Sequence, residues 1–239
     1  MTTVSVVIPT INEAENVVKL IPQVEDVFGG NGIDGEIIVV DDLSKDGTVQ
    51  KAAEAGRPYG NVKVIPRQAR NGLGNALKEG VEAASGDFVI FMDADLSHEP
   101  KEIPNFLKAL AASDVVVGSR YMRQSRLKRS ISRKIISGSY NLFSKVVLGV
   151  NVSDTSSGYR GFRKEAFRKL NMTSPGPEIH AELVVKACVA GMRVSEIPVS
   201  YVDRIHGETK LNYLKVGPSY AMVLLKGFIS KAAKLLRVS

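Results

Sequence analysis

Phe88-Val89-Ile90-Phe91-Met92-Asp93-Ala94-Asp95 is an apolar run that stops abruptly on two carboxylates one residue apart. So continuous a run fits a strand covered on both faces, as in parallel sheets, rather than the alternating pattern of a half-exposed strand. Open α/β sheets bind ligands in the crevice outside the carboxyl ends of their strands, so Asp93 and Asp95 are expected at a binding edge. Two carboxylates there suit a hard divalent cation that keeps some of its waters and also binds phosphate oxygens. The competing reading is that Asp-Ala-Asp only ends a strand and caps the next helix. A second acidic strand end weighs against it: Glu36-Ile37-Ile38-Val39-Val40 terminates in Asp41 and Asp42, followed by the loop Leu43-Ser44-Lys45-Asp46-Gly47-Thr48. Both ends point to one acidic crevice.

Outward from these runs the first half of the chain alternates apolar strands (Val4 to Ile8, Glu36 to Val40, Val62 to Ile65, Phe88 to Met92, Val115 to Gly118) with helical patterns near 13–28, 47–56, 73–84 and 100–112. Regular β/α alternation predicts an α/β, Rossmann-like, mainly parallel sheet with helices on both faces. The usual nucleotide fingerprints are missing. Gly72-Leu73-Gly74 lacks a third glycine, and the Gly29-to-Gly35 cluster precedes a strand instead of following one, which weakens ATPase and dehydrogenase readings.

The chain of 239 residues is long enough for one large α/β domain. Its single cysteine, Cys188, lies in an apolar helical stretch, which excludes a disulfide framework and a Cys/His zinc site and reads as a structural thiol in a reducing cytosol. Met1-Thr2-Thr3 lacks a basic leader, so no targeting segment is expected, and no apolar run reaches the roughly 18 residues of a membrane span.

The net charge of +7 is regional. Between Val115 and Ser153 there is no acid but eight bases (Arg120, Arg123, Arg126, Lys128, Arg129, Arg133, Lys134, Lys145), and from Thr209 onward six more bases stand without an acid. The remainder is net acidic, so the pattern argues for local anionic partners rather than a generally basic protein. Nucleic acid is disfavoured because aromatic residues are not interleaved with the bases: residues 120–135 hold only Tyr121. At ~100° per residue, Leu225, Phe228, Ile229, Ala232, Leu235 and Leu236 share one face of a C-terminal helix while Lys226, Lys234 and Arg237 take the other. Such a helix fits an anionic membrane surface, packing on the domain, or a partner subunit.

Several motifs now stand in order: Pro9-Thr10-Ile11-Asn12-Glu13, the Asp41-Asp42-X-Ser44-X-Asp46-Gly47-Thr48 loop, Asn71-Gly72-Leu73-Gly74-Asn75-Ala76, Asp93-Ala94-Asp95-Leu96, Gly118-Ser119-Arg120 and Ser157-Gly158-Tyr159-Arg160. In this order they resemble the family 2 glycosyltransferases of the GT-A fold, and among those the polyprenyl (dolichyl) phosphate mannose synthases, over about residues 4–215. The resemblance implies a GT-A domain over 1–212, with a nucleotide-binding half at 1–118 and an acceptor half at 119–212, followed by an amphipathic helix at 213–239. It implies metal-dependent, inverting transfer of mannose from GDP-mannose to a polyprenyl monophosphate at the cytoplasmic face of a membrane, reached by peripheral contact. A separate membrane subunit is left open, as is a UDP-glucose or other UDP-hexose donor.

By position, the resemblance places Pro9, Thr10, Asn12, Glu13 and Asp42 on the base and ribose, with Asp41 next to them. Asp93 and Asp95 would meet Mg²⁺ or Mn²⁺ and the diphosphate, with Ser97 standing where the family often has a glutamine ligand. Arg120, Arg133, Arg204 and Lys210 would serve the two anionic groups, Asp95, Arg120 and Arg133 being the catalytic candidates. His98 and His180 read more readily as structural than as metal ligands, and His206 lies in the Arg204-to-Lys210 loop. The chemistry agrees with these roles: a phosphate monoester, second pKa ~6, is already largely dianionic at neutral pH, so the site needs positive charge more than a strong base. Arginine supplies that charge in a planar fork that binds phosphate at two points.

Overall fold

A computed structural model describes residues 3–123, 125, 127–128, 138, 140–142, 144–145, 149–202 and 213–236. Its centre is a seven-stranded sheet in the order β3-β2-β1-β4-β7-β5-β8, built from β1 (Thr3–Thr10), β2 (Asp34–Asp41), β3 (Val62–Pro66), β4 (Phe88–Phe91), β5 (Val115–Ser119), β7 (Arg160–Arg163) and β8 (Val194–Pro198). Strands β6 (Leu127–Lys128) and β9 (Tyr201–Val202) pair in a small second sheet. The helices are α1 (Ala14–Asn31), α2 (Thr48–Gly56), α3 (Leu73–Ala83), α4 (Ile103–Leu110, after a 3-10 turn at Pro100–Glu102), α5 (Lys164–Leu170), α6 (Ile179–Ala190) and α7 (Tyr213–Leu236).

Both faces of the sheet are covered, which is why the central runs of β2, β4 and β5 are continuously apolar. Ile37 and Val39 pack into one cluster with Val17, Leu20 and Ile21 of α1 and Phe106 and Leu110 of α4. Ile38 and Val40, pointing the other way, pack with Leu77 and Val81 of α3 and Leu183 of α6. Two of the helices stop where left-handed glycines release the chain. Gly32 (φ 60) closes α1, with the Ile33 amide bonded back to the Phe28 carbonyl at 2.9 Å, and Gly191 (φ 79) closes α6, with Met192 bonded to Ala187 at 3.0 Å.

The mainly parallel expectation holds for β1, β2, β3 and β4, and for β5 with β8. Strand β7, in the turn-rich run after Asn151, departs from it by inserting antiparallel between β4 and β5. The reversal carries the chain toward the crevice end before β7 begins, so that Phe91 at the end of β4 pairs with Arg160 at its start.

The C-terminal helix packs on α6 through Val223 and Leu224, which join Val184 and Val185 in a third apolar cluster. That is a different face from the stripe read in the sequence. Leu225, Phe228, Ile229 and Leu236 stay 51%, 50%, 57% and 78% exposed, so docking on the domain leaves the stripe facing outward. Among the described residues no helix is long and apolar enough to cross a membrane.

Candidate active site

Strand order places the site. The chain runs from β1 outward through β2 to β3, then returns to the other side of β1 as β4, which makes the carboxyl ends of β1 and β4 the topological switch point. Thr10, Asp41, Arg67 and Asp93 stand at or just beyond the ends of four parallel strands, Ser119 ends β5, and antiparallel β7 brings Ser157-Gly158-Tyr159 to the same edge.

On the β1–β2 side two loops are laced together. The Asn12 amide bonds Ser44 Oγ at 2.7 Å and the Lys45 amide bonds Asn12 Oδ1 at 2.9 Å. The Glu13 amide reaches Thr48 Oγ1 and the Ala14 amide reaches Asp46 Oδ2, both at 3.0 Å, which satisfies the exposed start of α1. Asn12 holds φ 53, a left-handed conformation that asparagine tolerates better than most residues. Ser44, Asp46 and Thr48 are thus the frame of this wall. Asp41 is 1% exposed and accepts the Ser44 amide at 2.9 Å, so its carboxylate is turned into the loop. Asp42 instead accepts Arg67 Nη1 at 2.5 Å. Thr10 is buried, and among the described residues its Oγ1 has no partner; Pro9 is half-buried, and the Glu13 carboxylate accepts Asn16 Nδ2 at 2.6 Å.

Arg67 is a residue that the sequence reading missed. Its buried guanidinium joins Asp42 to Glu79 on α3, with Nε and Nη2 on the two Glu79 oxygens at 3.0 and 3.1 Å. The next loop docks on the other half of the chain: the Gly74 amide bonds the Pro175 carbonyl at 2.7 Å, and a Cβ on Gly74 would stand 2.3 Å from the Ser174 oxygen. Only glycine fits that approach.

Asp93 and Asp95 follow β4. The Asp93 side chain is 36% exposed. Asp95 is buried, its Oδ1 taking the Ser97 hydroxyl at 2.5 Å and the Ser97 amide at 3.1 Å. Ser97 therefore steadies Asp95, and only its lone pairs could serve a cation. A Cβ on Gly158 would lie 3.1 Å from Asp93 Oδ2, so this glycine makes room for the carboxylate. His98 is buried beside it; burial pushes its pKa down against the upward pull of Asp93 and Asp95.

Arg120, expected to present charge to an anion, is locked in place. It is 8% exposed, with Nε 2.7 Å from Asp154 Oδ2, Nη2 2.8 Å from Asp154 Oδ1 and 3.0 Å from Ser156 Oγ, while its amide also bonds Asp154 at 3.1 Å. Asp154 is wholly buried; burial alone would raise its pKa, and the adjacent Arg120 more than reverses that, holding it low. Asp154 was also missed, although it is the first acid after the acid-free segment. Arg160 is fully buried, donating to the Ser157, Thr155 and His180 carbonyls, and burial lowers its pKa to about 10 despite the pull of Asp154. His180 is buried, its Nδ1 without a partner among the described residues, and burial first, then Arg160, push its pKa far down. Asn141 Oδ1 accepts the Thr155 amide and hydroxyl at 3.0 and 2.6 Å. Arg123 is an exposed surface charge and Cys188 a half-buried thiol whose pKa burial raises to about 11. Arg133, Arg204, His206 and Lys210 lie outside the described residues.

The donor set at the crevice is all oxygen: Asp93, Asp95 and the Ser97 hydroxyl. That chemistry fits a hard divalent cation sharing its shell with phosphate oxygens and water. No group of three or more His, Cys, Asp or Glu side chains among the described residues would enclose a metal on its own. The arrangement therefore suits a cation brought or completed by a phosphorylated ligand, between a wall that can hold a nucleotide and a buried arginine.

The model of the family described as "Glycosyl transferase family 2" matches residues 5–170. The chain is 36% identical to a "Dolichol-phosphate mannosyltransferase" of Pyrococcus furiosus over 212 residues, which are 87% of this chain and 59% of that protein. It is 30% identical to an "Undecaprenyl-phosphate mannosyltransferase" of Micrococcus luteus over 233 residues, 94% of each. Among solved structures, a glucosyl-3-phosphoglycerate synthase from Mycobacterium tuberculosis, in complex with Mn²⁺, UDP-glucose and phosphoglyceric acid, superposes with a TM-score of 0.75 at 21% identity, covering 95% of this chain and 80% of that one. The likeness is one of fold.

Proposed function

The chain belongs to glycosyl transferase family 2 and is a glycosyltransferase of GT-A fold; from that premise we propose that it transfers mannose, with inversion, from GDP-mannose to a polyprenyl (dolichyl) monophosphate. The observation that carries the reading is the pair Asp93 and Asp95 at the sheet's switch point, on the same sheet edge as the buried Arg120 that follows β5. The acceptor class is supported by relatives whose names specify dolichol phosphate and undecaprenyl phosphate.

In this reading residues 1–118 form the donor half and 119–212 the acceptor half. Pro9, Thr10, Asn12, Glu13 and Asp42 line the base and ribose, Thr10 offering a hydroxyl that has no partner among the described residues. Asp41 and Arg67 shape that wall from behind. Asp93 and Asp95 would hold Mg²⁺ or Mn²⁺, a cation that would stabilise charge building on the leaving diphosphate. Arg120, together with Arg133, Arg204 and Lys210, binds the two anionic groups. An acceptor phosphate oxygen forms the new bond to the anomeric carbon as the bond to the donor diphosphate breaks and its electron pair leaves with GDP. The dianionic phosphate attacks without a general base. Asp154 holds Arg120 in one rotamer, so its charge is placed before substrate arrives.

The exposed stripe Leu225, Phe228, Ile229 and Leu236, with Lys226 and Lys234 also exposed on the same helix, lets the protein lie on the cytoplasmic face of an anionic membrane, where a long isoprenoid phosphate resides. A transfer assay with polyprenyl phosphate, offering GDP-mannose or UDP-glucose with and without EDTA, tests the reading. Mannosyl transfer from GDP-mannose, lost in EDTA, is expected. Transfer from UDP-glucose alone would replace the donor, and no transfer to polyprenyl phosphate from either would refute the acceptor.

A further inference from the structure

His98 stands between the two halves of the site in a way its sequence position does not reveal. Its Nδ1 accepts the backbone amide of Asp93 at 3.0 Å. With that nitrogen as acceptor, the neutral ring carries its hydrogen on Nε2, which lies 3.7 Å from Asp93 Oδ2, on the carboxylate's side though too far for a hydrogen bond. The ring is 3% exposed and stacks on Tyr159 with centroids 4.6 Å apart and planes 14° apart. Tyr159 is itself buried, and its hydroxyl bonds the Glu99 carbonyl at 2.9 Å, beside His98 in sequence. Gly158 completes the seat, since a Cβ there would meet Asp93 Oδ2 at 3.1 Å and His98 Cε1 at 3.5 Å.

We propose that His98 is a positioning residue: by accepting the Asp93 amide while clamped on Tyr159, it fixes the backbone from which the cation-binding carboxylate projects. The role rests on the reading of Asp93 as a cation ligand given above. It follows from geometry. Asp93 lies just past the last residue of β4, where ladder bonds no longer hold the chain, and the imidazole replaces the partner that the ladder stops supplying. The clamp also ties the cation side to the arginine side. The segment Asp154 to Arg160 holds Arg120 through Asp154 and Ser156 at one end, and seats Asp93 and His98 on Gly158 and Tyr159 at the other.

Substitutions that separate the acceptor atom from the ring test this. His98→Asn keeps an oxygen where Nδ1 stood; His98→Gln moves it to the Nε2 position; His98→Phe keeps the stacking and loses the acceptor. Binding of Mn²⁺, alone and with GDP, is read by electron paramagnetic resonance of the free ion, and the exchange rate of the Asp93 amide by hydrogen-exchange NMR. His98→Phe and His98→Gln should bind Mn²⁺ about 10- to 100-fold more weakly and lose protection of the Asp93 amide, whereas His98→Asn stays close to wild type in both. Gly158→Ala, which crowds the carboxylate from the opposite side, should weaken Mn²⁺ while keeping the amide protected. Wild-type Mn²⁺ affinity in His98→Phe, or an equal loss in His98→Asn and His98→Phe, overturns the inference. A wild-type protein that binds no Mn²⁺ in either condition overturns the cation reading and this role with it. Should the His98 variants unfold, Gly158→Ala decides through its Mn²⁺ affinity, an unchanged value counting against the seat.

Discussion

Removing Asp154 should unfold more of this protein than any other single change at the site, because it strands a buried charge. Asp154 is wholly buried and receives the Arg120 amide, Nε and Nη2 at 3.1, 2.7 and 2.8 Å, while Arg120 itself is 8% exposed. Burying the pair has a desolvation cost offset by these bonds, and breaking such a pair from one side typically costs about 3–5 kcal/mol. In a chain of this size each kcal/mol is roughly 2–4 °C, so Asp154→Ala should lower Tm by about 6–20 °C. The double variant Arg120→Met/Asp154→Leu removes both charges at similar volume and should recover most of that loss, since apolar replacement of a buried pair is often neutral or better. Activity should behave differently: both variants lack a correctly held arginine and should be inactive in sugar transfer. The assays are urea denaturation, for the stability cycle, and transfer at a temperature where both variants are folded. A loss below about 1 kcal/mol in Asp154→Ala, or a double variant no more stable than the single one, would refute the reasoning about the pair. Full activity in the double variant would remove Arg120 from the mechanism.

Three further outcomes follow from the same structure. Gly74→Ala drives a methyl group into the Ser174 and Pro175 backbone and breaks the 2.7 Å bond to Pro175, so it should cost about 2–4 kcal/mol in urea unfolding; a change under 0.5 kcal/mol would mean that the two loops are not held together. Glu36 and Glu182 are buried, which alone would raise their pKa values, but hydrogen bonds from Lys63, Ser5 and Ser85 in one case and from Lys186, Ser174 and Thr173 in the other bring both to about 2. Their folded pKa values lie below the unfolded ones, so the stabilisation is present above about pH 5 and is lost as pH falls toward 2, about 2–3 kcal/mol for each group. Urea midpoints measured from pH 7 to 3 should fall steeply below pH 5, and Glu36→Gln should flatten that fall; an unchanged slope in the variant counts against the assignment. Phe228→Glu/Ile229→Glu alters side chains that are half exposed, so Tm should move by less than about 2 °C while binding to anionic liposomes drops several-fold. Unchanged liposome binding would discard the membrane contact.

Much of the donor half could be read locally. Apolar runs ending in Asp41, Asp42, Asp93 and Asp95 announce parallel strands with an acidic edge, and every strand and helix of the first 119 residues lies within a few residues of its expected place. Strand β7 and helix α5 gave no such signal: Arg160–Arg163 is four residues long and two of them are arginines, so no apolar period marks it. Its strand character comes from the neighbours β4 and β5, which supply hydrogen bonds on both sides.

The amino-acid order alone determined the fold class, the carboxylates that end its strands, the ordered family motifs and the amphipathic stripe on the last helix, because each is a matter of period or of neighbouring residues. Tertiary structure decided which of those residues act outward and which act as frame. Asp41 is turned inward by Ser44, Asp42 is engaged by Arg67 from 25 residues away, and Arg120 is held by Asp154 from 34 residues away. It also decided that α7 docks through Val223 and Leu224 and leaves Phe228 and Ile229 outside. The physical reason is the same in each case. Hydrophobic periodicity is set by the geometry of a single strand or helix. Pairing of a buried charge and the choice of a helix's packed face depend on which distant segments the sheet order brings within a few ångströms, and no local pattern encodes that order.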